Sequence, residues 1–334
     1  MMNVLANHPY AELVAVCDRV KPLLDEVAQM AEEAGIPVAM YENYDDFAQH
    51  EMDAVVLANY ANEHAPYAIR QLKQGRHVLS EVLPCETMAQ AVALIEAVEE
   101  SGKVYAYAEN YCYMKSPFEM WRRYKNGDIG EMTYAQGEYV HDCSSIWPLI
   151  TYGEKDHWRN NMYSTFYCTH SMGPMLTITG RRPVQVVGFE TPIKETSLKL
   201  GAKSGGASAV IIATLDNGAI ARSLHGGLKR EPGSNNYLVY GDKGMMESDR
   251  LSYHQMSAYI EGEKLCVGDL QTYEPNQGDL KASQLAEQLG IDTHGGSDFY
   301  PTHFFIDKIL GGIEGQEYSI DVYQAVDMGI CGIL

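Results

Sequence analysis

Apolar residues fall in short unbroken runs through the first third of the chain and alternate with polar ones through much of the rest. Residues 13–18 are an apolar run closed by Asp18, and residues 38–41, 53–59, 77–79 and 104–108 are equally short. Runs of this length predict strands buried on both faces, as in a parallel sheet. Between them, Leu23, Leu24, Val27, Met30 and Ala31 recur at helical spacing over residues 22–34, with Gly35 as the stop. Residues 44–47 begin a helical turn, residues 65–74 form a helix ended by Gly75, and residues 1–8 form a short helix ended by Pro9. The stretch 81–114 organises the whole. It leaves one strand at Glu81, crosses on a helix, re-enters the sheet and leaves again at Glu109-Asn110, so that two polar rims lie side by side where an open parallel sheet holds its ligands.

Beyond residue 114 the rhythm changes. A helix over 116–124 and a turn at 126–130 precede residues 132–140, which alternate in strand fashion. Residues 184–190, 207–215, 219–225 and 237–240 are further strands, joined by turns such as Asp216-Asn217-Gly218. They lack regular crossover helices, which predicts an open-faced, mostly antiparallel sheet. Residues 201–206 and 271–278 read as polar loops, and 303–310 and 318–333 as closing helices. The fold class is α/β: a Rossmann-type doubly wound parallel sheet, then an α+β domain. The expected divisions are 1–110 for dinucleotide binding, 111–318 for substrate binding and oligomerisation, and 319–334 as a C-terminal helix returning to the first domain. A dinucleotide fold ordinarily opens with a strand, a Gly-rich turn and a helix. None precedes residue 13, so a first strand and phosphate loop of roughly 30–40 residues are expected to be missing from this sequence, and the stop at Leu334 reads as a second truncation.

The balance of 25 Lys+Arg against 45 Asp+Glu gives a net charge of -20. Such a surface repels phosphate backbones and anionic bilayers, which argues against nucleic acid or a membrane as partner. The seven cysteines show no C-x-x-C pair, so reduced thiols in a cytoplasmic protein are expected rather than a disulfide framework. Tyrosines outnumber phenylalanines 23 to 7; a ring with a hydroxyl at its tip suits a sugar pocket and a wet subunit interface alike.

The run Glu12-Leu13-Val14-Ala15-Val16-Cys17-Asp18, then Ala61-Asn62-Glu63-His64-Ala65-Pro66, then Gly75-Arg76-His77-Val78-Leu79-Ser80-Glu81, resembles the Gfo/Idh/MocA oxidoreductase superfamily over nearly the whole chain. Dehydrogenases of that superfamily follow the strand-ending Glu with Lys and Pro. Here the run is Glu81-Val82-Leu83-Pro84, which resembles instead the branch of NAD-dependent glycosidases similar to bacterial α-N-acetylgalactosaminidase. Ala108-Glu109-Asn110-Tyr111-Cys112-Tyr113, Tyr139-Val140-His141-Asp142, residues 167–174 and His294-Gly295-Gly296-Ser297-Asp298-Phe299 carry the same likeness, with departures at Cys168 and Ser171-Met172.

The resemblance implies cleavage through transient oxidation at sugar C3, removal of the C2 proton and loss of the aglycone. The alternatives are an NAD(P)-dependent sugar or glycoside 3-dehydrogenase without cleavage, and a non-catalytic cofactor-binding regulatory homologue. Tyr139 and His141 stand two apart on one strand, hence on one face. His141 suits proton transfer near neutrality and Tyr139 can share its proton, although an interface pair would share the same spacing. Glu109, ending a buried strand, is expected to orient His141 or bind a sugar hydroxyl. The resemblance makes Tyr167 a C2–H base or its partner and His170 a sugar-orienting group, on the approach to a helix whose start is marked by Gly173-Pro174. A divalent ion on Glu109, His141 and His170, near Asp142, is weighed against by the absence of a compact His pair. Asp18 is the expected acceptor for adenosine ribose hydroxyls, favouring NAD, while the neighbouring Arg19 keeps NADP open. Asn59, Asn62, His64 and Glu81 follow strands on the nicotinamide side, with Asn110 reaching the nicotinamide ribose. His294 could contribute to the pocket or only to a turn. Trp147, Trp158 and Arg159 suit sugar stacking or a lid packed on itself. A homo-oligomer through the C-terminal sheet is expected.

Overall fold

The computed structural model describes residues 1–193, 195–199, 208–252, 254–262, 271–291 and 296–334. Its N-terminal half holds five short parallel strands, β1 (Ala15–Cys17), β2 (Ala39–Tyr41), β3 (Ala54–Leu57), β4 (His77–Ser80) and β5 (Tyr105–Tyr107). They form two sheets, β1-β2 and β3-β4-β5, all in parallel register. Among the described residues, β1 and β3 pair on one edge only. Helices alternate with the strands as the apolar spacing requires. Lys21–Ala34 ends at Gly35 in the left-handed conformation, and Met88–Ser101 is capped by the Thr87 hydroxyl and ended at left-handed Gly102.

The C-terminal half is an eight-stranded sheet of β6 (Met132–Val140), β7 (Pro183–Glu190), β8 (Ser208–Leu215), β9 (Ile220–Gly226), β10 (Ser234–Gly241), β11 (Gly244–Ser248), β12 (Met256–Ile260) and β13 (Gln271–Tyr273). Among the described residues the order is β13-β12-β11-β10-β6-β9-β8-β7, and only β6 and β9 run parallel. The fold is therefore a Rossmann-type parallel domain joined to a mostly antiparallel sheet. One face of that sheet packs on helix Thr169–Thr179, buried throughout. The other leaves Val187, Phe189, Ile212, Tyr240 and Tyr259 exposed.

Several expected boundaries move. Residues 271–273 form an edge strand rather than part of a loop, and β11 and β12 were not anticipated. The helix expected at 318–333 starts only at Val322, where Asp321 and Gln324 build a capping box, and Tyr318 instead ends a separate short helix, Ile313–Tyr318. Val322–Ile333 packs on both Met88–Ser101 and Thr169–Thr179, and Gly329 lets it approach Pro84 closely. The expected loop at 201–206 lies outside the described residues. Among the described residues no helix is long and apolar enough to cross a membrane.

Candidate functional site

The polar rims of β4 and β5 meet the large sheet through helix Thr169–Thr179. Two glycines allow the approach: a Cβ on Gly137 of β6 would run into the Ser171 carbonyl oxygen, and one on Gly173 would lie 3.1 Å from the Glu109 Cγ. The helix begins before Gly173-Pro174, contrary to the sequence expectation, so His170 sits in its first turn and Pro174 inside it. Pro174 has no N–H to return to the His170 carbonyl. The Tyr237 hydroxyl, reaching from β10, donates to that oxygen at 2.5 Å instead, so no buried acceptor is left bare.

His170 Nδ1 lies 2.7 Å from Glu109 Oε1, with Glu109 fully buried. Glu109 thus meets His170 and not His141. The Tyr111 N–H also donates to Oε1, at 3.3 Å, while Oε2 is buried without a hydrogen-bond partner among the described residues. A carboxylate on Nδ1 fixes that nitrogen as the donor and leaves Nε2 for an outside group. Around the imidazole stand Tyr111 (4.3 Å between ring centroids), Tyr139 (4.8 Å) and Tyr167 (5.2 Å). Tyr139 and His141 share the face of β6 turned to the helix, and the Tyr139 hydroxyl is 3.4 Å from His141 Nδ1; His141 itself is exposed at the rim. Burial pushes the Tyr139 phenol up, with Tyr111 and Tyr167 adding to the effect. Burial also raises Tyr167, but Arg159, whose guanidinium lies 5.2 Å from its ring, opposes the shift. Burial, with the nearby Glu109 charge, pushes the Glu81 carboxyl up to about 7.

On the cofactor side, Asp18 closes β1 and accepts from the Val20 N–H at 2.8 Å. Arg19 stacks on Tyr60 at 4.2 Å, and Tyr60 meets His157 edge to face at 4.5 Å. Asn59 is exposed, its amide donating to Glu63 at 3.3 Å. Asn62 Oδ1 is buried with no hydrogen-bond partner among the described residues. His64 has both ring nitrogens on backbone carbonyls, Nδ1 2.9 Å from Leu83 and Nε2 3.1 Å from Asn59, so it ties the β3 and β4 rims together instead of reaching across them. Asn110 donates to Asp298 at 2.8 Å, at the head of helix Phe299–Ile309. His294 lies outside the described residues. Trp147 donates to Asn160 at 2.8 Å within its own segment, whereas Trp158 lies under Arg159 at 4.4 Å, on the way to Tyr167. Among the described residues no group of three His, Cys, Asp or Glu converges as a metal site.

A dinucleotide needs an acid at one strand end for its ribose and unspent polar atoms at the others. Asp18 and the orphaned Asn62 Oδ1 meet that need, and the orphaned Glu109 Oε2 offers an acceptor to a second, hydroxyl-bearing ligand. Tyr111, Tyr237, His225 and His157 were missed by the sequence reading. Only Tyr111 carried a local signal, standing two residues after Glu109; the others enter through contacts distant in sequence.

Residues 1–109 match the Gfo/Idh/MocA family, described as an oxidoreductase family with an NAD-binding Rossmann fold. The chain is similar to glycosyl hydrolase family 109 protein 1 of Bacteroides thetaiotaomicron, 24% identical over 71% of this chain and 54% of that protein. A glycosyl hydrolase family 109 protein of Stenotrophomonas maltophilia is 24% identical over 98% of this chain and 80% of its own length. The chain thus spans about half of the first relative and most of the second. In three dimensions it resembles a levoglucosan dehydrogenase solved with NADH and levoglucosan, at a TM-score of 0.74 and 15% identity, over 99% of this chain and 89% of the other.

Proposed function

We propose, from a chain whose residues 1–109 form a Gfo/Idh/MocA oxidoreductase-family domain, that its crevice cleaves a glycoside by transient oxidation, with NAD as cofactor and no net redox change. The observation that carries the reading is the buried 2.7 Å contact between Glu109 and His170 inside a ring of tyrosines at the end of β5. The chemistry NAD supplies when bound is reversible hydride transfer at sugar C3.

The side chains divide the proton work. Tyr139 and His141, hydrogen-bonded at 3.4 Å, take the C3 hydroxyl proton toward solvent at the exposed rim. The C3 ketone acidifies the C2 hydrogen, and Tyr167, whose pKa burial raises against the opposing pull of the Arg159 guanidinium, removes it. The C1–O bond then breaks, its electron pair leaving on the aglycone oxygen, which gains a proton. Water adds at C1, C2 takes up a proton that has exchanged with solvent, and C3 is reduced again with return of the hydride to carbon and of a proton to its oxygen through Tyr139 and His141. His170, held at Nδ1 by Glu109, binds a sugar hydroxyl through Nε2, and Oε2 of Glu109 accepts another. The absence of lysine after Glu81 and the family 109 relatives support cleavage over simple oxidation.

NAD is preferred to NADP because Asp18 would meet a 2′-phosphate with like charge while Arg19 is committed to Tyr60, with Glu63 and Glu154 near it. Asn59, Asn62 and Glu81 line the nicotinamide side of this reading. A second copy of the chain on the exposed Val187 and Phe189 face would complete a homo-oligomer.

The test is to incubate the protein with NAD⁺ and a panel of p-nitrophenyl glycosides and follow nitrophenol and NADH together. Nitrophenol release without NADH accumulation is expected. NADH formed stoichiometrically with the glycoside intact would make the protein a 3-dehydrogenase, and failure to bind either nicotinamide cofactor would make it a non-catalytic homologue.

A further inference from the structure

Behind the crevice runs a buried polar chain that the proposed chemistry leaves unused. His225 is 1% exposed and stands beside Tyr139 in the parallel register of β6 and β9, on the face covered by helix Thr169–Thr179. Its Nε2 lies 2.6 Å from the Ser164 carbonyl oxygen and its Nδ1 3.2 Å from Ser223 Oγ. Ser223 Oγ in turn lies 2.6 Å from Ser171 Oγ. A carbonyl oxygen only accepts, so Nε2 carries the hydrogen. In the neutral ring Nδ1 must then accept, and Ser223 is its donor. That commits the one hydrogen of Ser223, so Ser171 donates to Ser223. The Cys168 carbonyl, 2.9 Å from Ser171 Oγ, is still served by the backbone N–H groups of Ser171 at 3.1 Å and Met172 at 2.8 Å. A single arrangement of hydrogens satisfies the whole chain, and burial holds His225 in the neutral form it requires, its pKa lowered to about 4.

We infer that His225 and Ser223 are positioning residues that pin both ends of segment 164–171, and with it Tyr167 and His170, to strand β9. The physical need is plain from the geometry. Ser164 lies within the irregular stretch that leads into the helix, five residues before its start at Thr169, and Ser171 lies in the first turn, one residue from His170. Tyr237 also holds the first turn from the sheet side, but it grips only the His170 carbonyl and leaves the Ser164 end of the segment untouched. Glu109 also holds the His170 ring at 2.7 Å and Glu190 accepts from the Thr165 N–H at 3.0 Å, while the serine–histidine chain is the link that ties both ends of the segment to strand β9. Side-chain networks of this kind fix orientation when every member is satisfied. The catalytic consequence rests on the crevice being the sugar site of the proposed function.

The experiment reads the network and its consequence separately. In ¹⁵N-histidine spectra of the full-length protein at neutral pH, His225, assigned by its loss in His225→Gln, is expected as the Nε2–H tautomer. In Ser223→Ala the His170 ring signals are expected to shift, and in Ser223→Thr to return. With a nitrophenyl glycoside, Ser223→Ala is expected to lower kcat about tenfold with NAD⁺ affinity unchanged, as for loss of one buried hydrogen bond, and Ser223→Thr to recover most of it. A His225 imidazolium or Nδ1–H tautomer, or His170 signals unmoved in Ser223→Ala, would overturn the inference whether or not any glycoside is cleaved. If glycoside is cleaved, a wild-type kcat in Ser223→Ala would overturn it as well. If no glycoside is cleaved while the spectra behave as expected, the network stands and the proposed reaction fails.

Discussion

Replacing Glu109 by Gln isolates the charge on His170 with little change of shape. The amide of the variant can still present a carbonyl oxygen to Nδ1 at the 2.7 Å now held by Oε1, so the ring need not move. What disappears is the charge assistance. Hydrogen bonds to charged groups contribute about 1.5–3 kcal/mol against about 1 for neutral ones, and the site is fully buried, where screening is weak. The difference, a loss of about 0.5–2 kcal/mol in the transition state, is a fall of about 2- to 30-fold in kcat/KM. Glu109→Ala would go further, leaving Nδ1 without an acceptor. The assay is nitrophenol release under saturating NAD⁺, with cofactor affinity followed by fluorescence titration. Glu109 is not assigned to the cofactor, so affinity should hold while turnover falls. Wild-type kcat/KM in Glu109→Gln would refute the reasoning, and a parallel collapse of NAD⁺ affinity would show that Glu109 serves the cofactor side.

Three further outcomes follow from the same geometry. Gly137→Ala pushes β6 off the Ser171 carbonyl and should cost about 1–3 kcal/mol in urea unfolding together with most of the activity; an unaffected midpoint contradicts the close approach. Glu81, raised from 4.5 to about 7, contributes stability that is complete below 4.5 and lost as pH rises through 7. His8 and His225, lowered from 6.5 to about 4, contribute in the opposite sense: their share is present above 6.5 and lost as pH falls toward 4. Glu81→Gln should therefore steepen the loss of unfolding free energy between pH 7 and 5 by about 2 kcal/mol, and parallel slopes for wild type and variant would contradict the shift. On the proposed assembly through the exposed sheet face, light scattering should give wild type a multiple of the chain mass and Phe189→Glu the mass of one chain; a monomeric wild type, or an equal mass for the two, would contradict that assembly.

Much of this architecture is legible locally. The short apolar runs specify the parallel strands, and β6 occupies the alternating residues 132–140, with Tyr139 on it and His141 just past its end. What escapes is decided by partners far along the chain. Gly173-Pro174 reads as a helix start, yet Tyr237 supplies the hydrogen bond Pro174 cannot and the helix runs through it. Glu109 reads as a partner for His141, yet Gly173 lets the neighbouring helix bring His170 to it first. His225 looks like any inward residue of an alternating strand until Ser164 and Ser223 are folded around it. Strand β13 carries no local signature because only its pairing with β12 makes it a strand.

The most direct test of the central claim follows the C2 hydrogen. A nitrophenyl glycoside deuterated at C2 is turned over in water with the protein and NAD⁺, and the recovered sugar is examined by mass spectrometry. Loss of the deuterium to solvent in step with nitrophenol release is the expected result. Nitrophenol released with the C2 deuterium fully retained would contradict it, since no proton would then have left C2 and the Glu109–His170 crevice would have no part in such a cleavage.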